Sequence, residues 1–543
     1  MSRGEMAAVG GALAALVICG FFIFPGHTYL YADTQIYLPI LERLRDPSLY
    51  PSDPVALRPH VAYTIYDEVA LGARALTGVG FQAILEAQQI LYRFCGLVGV
   101  FLIGRAFSLS IPLAVVLASI YGLTAWVGGP SVLVLEYEPV PRGFAAPLLT
   151  LGIGLAVNQR WVWAGCAAGL AILYHPPTTV PFLVVFGLVI VGTRQWKALL
   201  PIGAAVALSY VLSKLQAGHT EPQRFWGTID AELEKLQRMR GAYNWISIWP
   251  AQFVRHWEFL ALLLVGIWYR LRNQAPQTAK VMLGGMAIYG LLMIPVSLVL
   301  LEGAKWAFMP QFQPARALLW VVLAAWLGSV LCAIKAAQDG KLFESFFWGL
   351  VAFAIPAQND ALSLLLPDWR DEVLRARFLC IAALAALLAV AARWEKRWIA
   401  VVPVMVLPFW LIPGPGKVVS YREIDHPEVH QLADWARANT AKEAVFVFPD
   451  AGQELYPGLF RVYALRGLYV DWKGGGQVNL LRDFAVEWWQ RWQAVGQGKF
   501  DPGKWESLSK LPVDYVVLQA KNRVAGEVAY ENGKYVVYKM KQE

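Results

Sequence analysis

Charge is scarce in this chain: Asp, Glu, Lys and Arg make up 16% of its 543 residues, against 57% hydrophobic residues and a mean hydropathy of +0.45. A soluble domain carries about a quarter charged residues, so this balance excludes a soluble globular protein. Cysteine is scarce too. Cys19, Cys95, Cys166, Cys332 and Cys380 all fall in apolar runs with no CxxC pair and no nearby histidine, which excludes a disulfide framework and a zinc site. No Walker loop, GxSxG or HExxH is present, so neither ATP-driven transport by this chain alone nor those hydrolase chemistries is supported. Lys473 to Gly476 is glycine-rich, but no strand-to-helix fingerprint surrounds it, so it reads as a flexible turn rather than a phosphate site.

What the chain has is long apolar runs. About thirteen candidate spans lie near 8 to 25, 82 to 104, 110 to 127, 143 to 157, 161 to 174, 177 to 192, 198 to 213, 257 to 269, 280 to 301, 316 to 334, 343 to 357, 374 to 392 and 398 to 413. Those from 143 to 192 are broken by Asn158, Gln159 and Arg160 and by His175, Pro176 and Pro177, which predicts short or tilted helices. Arg3 precedes the first run and no small-residue cleavage site follows Phe24 and Pro25, so that run reads as a retained helix.

Orientation follows from the basic residues, which collect on the cytoplasmic side of short loops. A cytoplasmic N-terminus puts Arg105, Arg160, Arg194 with Lys197, Arg270 with Arg272, Lys335 with Lys341, and Arg393 with Lys396 and Arg397 on that side. The net charge of +8 is explained in this way and implies no nucleic acid partner. The segments 26 to 81, 128 to 142, 214 to 256, 302 to 315 and 358 to 373, and everything after Pro413, then lie outside. The expected fold is mostly α, a polytopic helical bundle over 1–413 with an extracytoplasmic α/β domain over 414–543. In that domain His426 to Asn439 and Val478 to Gln493 read as helices, Ala444 to Phe448 and Val513 to Leu518 as strands, and Glu527 to Met540 as a hairpin turning at Asn532 and Gly533.

The external segments carry the chemistry. Asp33 follows the first span at once, among Tyr29, Tyr31 and Tyr37, and precedes an amphipathic helix to about Arg45. Such an acid can orient or deprotonate a hydroxyl at headgroup depth, and it also stands where a helix N-cap would. Glu136 and Glu138, two apart beside stiffening prolines, suit a shared proton or a divalent cation, Mg or Mn, with a salt bridge to Arg142 as the plainer reading. His175 interrupts an apolar stretch before two prolines, and His27 and His60 lie on the first loop. Arg316, with Lys305 to assist, stands where a guanidinium can grip a polyprenyl phosphate or instead snorkel to lipid headgroups; Arg375 and Arg377 repeat the pattern one loop later.

An acidic first external loop with an amphipathic helix, an acidic second loop, about a dozen spans and an external α/β domain together resemble the GT-C class of polytopic glycosyltransferases, which use lipid-phosphate-linked sugars. The resemblance implies an enzyme of the bacterial inner membrane whose partners are the bilayer, a polyprenyl-phosphate sugar donor and an extracytoplasmic glycan, lipid or protein acceptor. By it, Asp33 matches the first-loop acid used as base or metal ligand and Glu136 with Glu138 the second-loop acidic pair, so these three are expected to be catalytic; from their own positions, Arg142, His175, Lys305, Arg316 and His60 are the expected substrate-binding residues. Where many members carry DxD, Asp33 is followed by Thr34 and Gln35, which suits a base better than a metal ligand. Two other classes fit the composition: a flippase of a lipid-linked glycan, and a noncatalytic envelope assembly protein. A cavity converging on Asp33 and Glu136 separates an enzyme from the last of these.

Overall fold

The computed structural model describes residues 1–58, 64–215, 226–357, 361–395, 398–413 and 425–540. Among the described residues, seven helices are long and apolar enough to cross a membrane: Arg3–Phe22, Phe81–Ala106, Pro176–Thr193, Trp196–Lys214, Gln277–Gly303, Met309–Gln338 and Glu372–Arg393. Five further apolar helices, Ile111–Tyr121, Pro141–Val157, Trp161–Tyr174, Leu342–Pro356 and Ala400–Leu411, span only 10–17 residues. A straight crossing takes about 20 residues, so the short helices expected between 143 and 174 are found there, and length alone assigns seven crossings.

Small residues set the bundle's packing. Helices Phe81–Ala106 and Pro141–Val157 touch through Gly99 and Gly154, where an added Cβ would lie 2.4 Å from the Thr150 carbonyl oxygen and 2.3 Å from that of Gly99. No residue with a side chain fits at that crossing. Helix Leu318–Gln338 is buried along nearly its whole length and forms the centre of the bundle. Its hydrophobicity on every face is what a helix surrounded by other helices requires.

Two short strands, β1 (Trp126–Val127) and β2 (Val132–Leu133), form a hairpin in the loop before the acid pair. The C-terminal part holds a five-stranded sheet of β3 (Val445–Val447), β4 (Gly467–Leu468), β5 (Tyr515–Gln519), β6 (Val528–Glu531) and β7 (Tyr535–Lys539), in the order β4-β3-β5-β7-β6. β3 runs parallel to β4 and β5, while β5–β7 and β7–β6 are antiparallel. The helix Pro427–Asn439, strands β3 and β5 and the hairpin fall where the sequence pattern put them. β4 and helix Tyr456–Ala464 went unpredicted, and the Trp-rich helix starts at Arg482 instead of Val478 because residues 473–479 wind as a tight 3-10 turn.

The first loop fastens this sheet to the bundle. In helix Thr34–Arg45, Ile36 and Ile40 join a core with Val445, Val447, Val470 and Trp488, while Leu38 and Leu41 enter the main core. Two apolar stripes on one helix let it serve both layers. The expected boundary at 414 lies outside the described residues.

Candidate active site

Glu138 builds the start of helix Thr34–Arg45. Its carboxylate accepts from the backbone N–H groups of Ala32 and Asp33 at 2.7 and 3.0 Å and from Thr34 Oγ1 at 2.7 Å. Burial, with the charge of Asp33, raises the Glu138 pKa against the pull of Lys473 and of those donors. An acid from the second loop therefore does the capping expected of Asp33, whose own side chain makes no cap hydrogen bond. Asp33 is left free for other partners.

Those partners are cations from two distant parts of the chain. Arg142 Nη1 donates to Asp33 Oδ2 at 2.6 Å, and Lys473 Nζ to Asp33 Oδ1 at 2.5 Å. Arg142 Nε donates to Glu136 Oε1 at 2.8 Å, so the guanidinium bridges the first-loop and second-loop acids. Burial alone would raise the Asp33 pKa, but the charges and hydrogen bonds of Lys473 and Arg142 outweigh it and hold the carboxyl well below its usual range. Arg93 fixes the second loop from beneath, its Nη2 donating to the carbonyls of Gly26 at 2.9 Å and Glu136 at 2.8 Å. The Tyr66 hydroxyl holds the Pro139 carbonyl at 2.8 Å, so the proline-stiffened segment is also tied down by side chains.

Asp33, Glu136, Glu138, Arg142, His175 and Arg316 all line one cavity of about 670 Å³. The volume suits a small-molecule substrate. The Arg316 guanidinium lies over the Tyr243 ring, 4.8 Å from its centre, and its buried Nε has no hydrogen-bond partner. Arg240 also lines the cavity, stacked 3.9 Å over the Trp472 ring, and burial brings its pKa down to about 10, so it remains a cation at neutral pH. His175 caps helix Pro176–Thr193, its Nδ1 accepting from the Thr178 N–H at 3.2 Å while the residue borders the cavity.

Other expected residues stand elsewhere. Lys305 pairs with Glu234 at 2.7 Å and is not part of the cavity wall: the loop around it turns toward helix Ala231–Arg240. His27 stacks on Phe21 and bonds its carbonyl at 2.8 Å. Arg375 and Arg377 begin helix Glu372–Arg393, away from the cavity, and His60 lies outside the described residues. Lys473, Arg240 and Tyr243 were not expected. Lys473 follows Trp472 and precedes three glycines; read as a flexible turn, the run instead packs tightly, a Cβ at Gly475 falling 2.4 Å from the Trp488 ring. Close backbone approach, not flexibility, explains that glycine.

The acids do not fit a divalent cation. Both Asp33 oxygens already face fixed cations, Glu136 faces Arg142, and Glu138 is taken by backbone donors. A dication there would stand against the charges of Arg142 and Lys473. Among the described residues no three His, Cys, Asp or Glu side chains converge as ligands.

Residues 427–495 match a family described as a domain of unknown function, DUF6798. A comparison with curated proteins finds no match. Among solved structures, the chain is similar to the crystal structure of ArnT from Cupriavidus metallidurans bound to undecaprenyl phosphate, at 14% identity and a TM-score of 0.47, covering 99% of this chain and 98% of that one. It is also similar to the arabinofuranosyltransferase AftD from Mycobacteria, at 14% identity and 0.45, covering 100% of this chain and 40% of that one. The arabinosyltransferase EmbB from Mycobacterium smegmatis follows at 14% and 0.38, covering 76% and 41%. These structural neighbours are GT-C glycosyltransferases, the class the sequence resembles. Each is a likeness in the course of the chain.

Proposed function

We propose that this protein is a membrane glycosyltransferase that moves a sugar from a polyprenyl-phosphate donor to an extracytoplasmic hydroxyl. The observation that carries this reading is the cavity in which the Asp33 carboxylate meets Arg142 and Lys473 and which Arg240 and Arg316 also line. An acid for the incoming hydroxyl and cations for the departing phosphate are the two needs of such a transfer. The convergence of Asp33 and Glu136 on this cavity supports an enzyme over a noncatalytic assembly protein.

In the reaction the acceptor oxygen attacks the anomeric carbon of the donor. The new C–O bond forms as the bond to the phosphate oxygen breaks, and the bonding electron pair leaves on the phosphate. A phosphate is a stable leaving group, so no general acid is needed on that side. Arg316, with an unpartnered Nε, offers it hydrogen bonds and charge. The acceptor proton passes to Asp33 and then to water. A carboxylate held well below its usual pKa is a weak base, which suits orienting the hydroxyl first and taking its proton only late in bond formation. Attack from the face opposite the phosphate inverts the anomeric centre.

Purified protein incubated with a panel of labelled polyprenyl-phosphate sugars and simple acceptors should release the carrier phosphate. Asp33→Asn should abolish that release at normal expression. Equal release by the variant, or none by the natural protein with any sugar of the panel, would refute the proposal.

A further inference from the structure

Lys473 reaches Asp33 from 440 positions along the chain, and what holds it there is sealed from water. Arg461, fully buried, donates from Nε to Asp53 Oδ2 at 2.8 Å and from Nη2 to Asp471 Oδ1. Asp53 belongs to the first external loop. It caps helix Pro54–Leu57 through Val55 and accepts from the Leu468 N–H of β4 at 2.9 Å. Asp471 accepts in turn from the Gly474 N–H at 3.1 Å, closing the turn that carries Lys473. The Trp488 indole donates to the Asp471 carbonyl at 2.9 Å and fixes the same turn from the other side. One buried guanidinium thus ties the first loop to the lysine-bearing turn, two residues from the lysine itself.

Arg461, Asp471 and Lys473 all lie within 427–495, the segment that matches a domain of unknown function. Resting on the glycosyl-transfer reading, we propose that this segment completes the active site: the Asp53–Arg461–Asp471 network delivers Lys473 to Asp33, and Lys473 is a positioning residue that fixes the plane of that carboxylate. With Arg142 on one oxygen and Lys473 on the other, the carboxylate cannot turn about its own axis. Each oxygen keeps a free lone pair for the acceptor hydroxyl. Removing Lys473 leaves Asp33 in place but unrestrained on the cavity side, which loses orientation rather than binding.

Two readouts on the full-length protein test this. The first needs no turnover: labelling with a water-soluble amine acylating reagent, followed by mass spectrometry of the Lys473 and Lys442 peptides. The Lys442 side chain is 58% exposed and that of Lys473 16% exposed and held on Asp33 at the cavity, so labelling of Lys473 should be slower by about tenfold. Asp471→Asn, and separately Arg461→Lys as the variant that keeps the buried charge, should speed Lys473 labelling several-fold while leaving Lys442 unchanged. Equal labelling of the two lysines in the natural protein, or no change in either variant, overturns the delivery role. The second readout is kinetic: Lys473→Met should lower kcat at little changed donor KM, Lys473→Arg should recover part of it, and Asp471→Asn should add little to Lys473→Met. A KM effect alone, or full additivity, overturns the positioning role. Protected lysine with no transfer by the natural protein would instead count against the glycosyl-transfer reading.

Discussion

Arg461 and Arg142 each sit between two carboxylates, and they do opposite things. Arg461 lies between Asp53 and Asp471 with every partner essentially sealed from solvent, whereas Arg142, Asp33 and Glu136 keep 14%, 27% and 7% of their side chains exposed toward the cavity. A buried set with good geometry locks a structure because breaking it strands a charge. An open set can exchange partners with a ligand. An arginine between two carboxylates therefore makes a fastener in one place and a candidate site in the other, and the difference lies in what surrounds it.

The largest expected effect comes from breaking the sealed set. Arg461→Met leaves two carboxylates facing each other without a cation and should cost about 3–5 kcal/mol of stability, read as a drop in the thermal melting midpoint in detergent. Arg142→Met should cost less stability but lower sugar transfer by about a hundredfold or more, checked by carrier release at matched protein concentration. Were the two variants to show the reverse pattern, the division between fastener and site would fail.

pH sharpens the comparison. The Asp33 pKa is depressed, so the stability and the ionised base it contributes are present above the ordinary carboxylate range and lost only as pH falls through its lower folded value. The acid limb of kcat/KM should accordingly lie below about pH 4, and Lys473→Met should move it upward. Asp67 behaves in the opposite sense: burial, then the hydrogen bond and charge of neighbouring Glu68, raise its pKa to about 8. The folded state binds that proton more tightly than the unfolded one, so stability should fall as pH rises from about 4 toward 8. Asp67→Asn should flatten this slope and raise the melting midpoint at pH 8. The smallest effect belongs to Lys305→Ala: the Glu234 pair is half exposed at the lysine, so stability should change by about 1 kcal/mol or less and transfer should be unaffected.

Much of the frame was legible because periodicity is local. The amphipathic helix after Asp33, the short spans around Asn158 and His175, and the hairpin at Asn532 each follow from residues within one turn or strand. The acids that line the cavity were legible too, since Glu136, Glu138 and Asp33 stand out in an apolar chain. Their division of labour was not. Glu138, not Asp33, caps the helix, and only three-dimensional proximity between residues about a hundred positions apart decides that. Lys473 was missed for the same reason: a lysine before three glycines reads as a turn until Asp53, over four hundred residues away from Arg461, is seen to anchor it.

The most direct measurement is the pair of melting midpoint and carrier release for Asp33→Asn. Removing the charge of a carboxylate that pairs with Arg142 and Lys473 should lower the melting midpoint, by less than Arg461→Met does, and leave a folded protein, while transfer falls by about a hundredfold to ten-thousandfold. A variant that transfers as well as the natural protein, or that loses transfer only because it no longer folds, would contradict the assignment of Asp33 to chemistry.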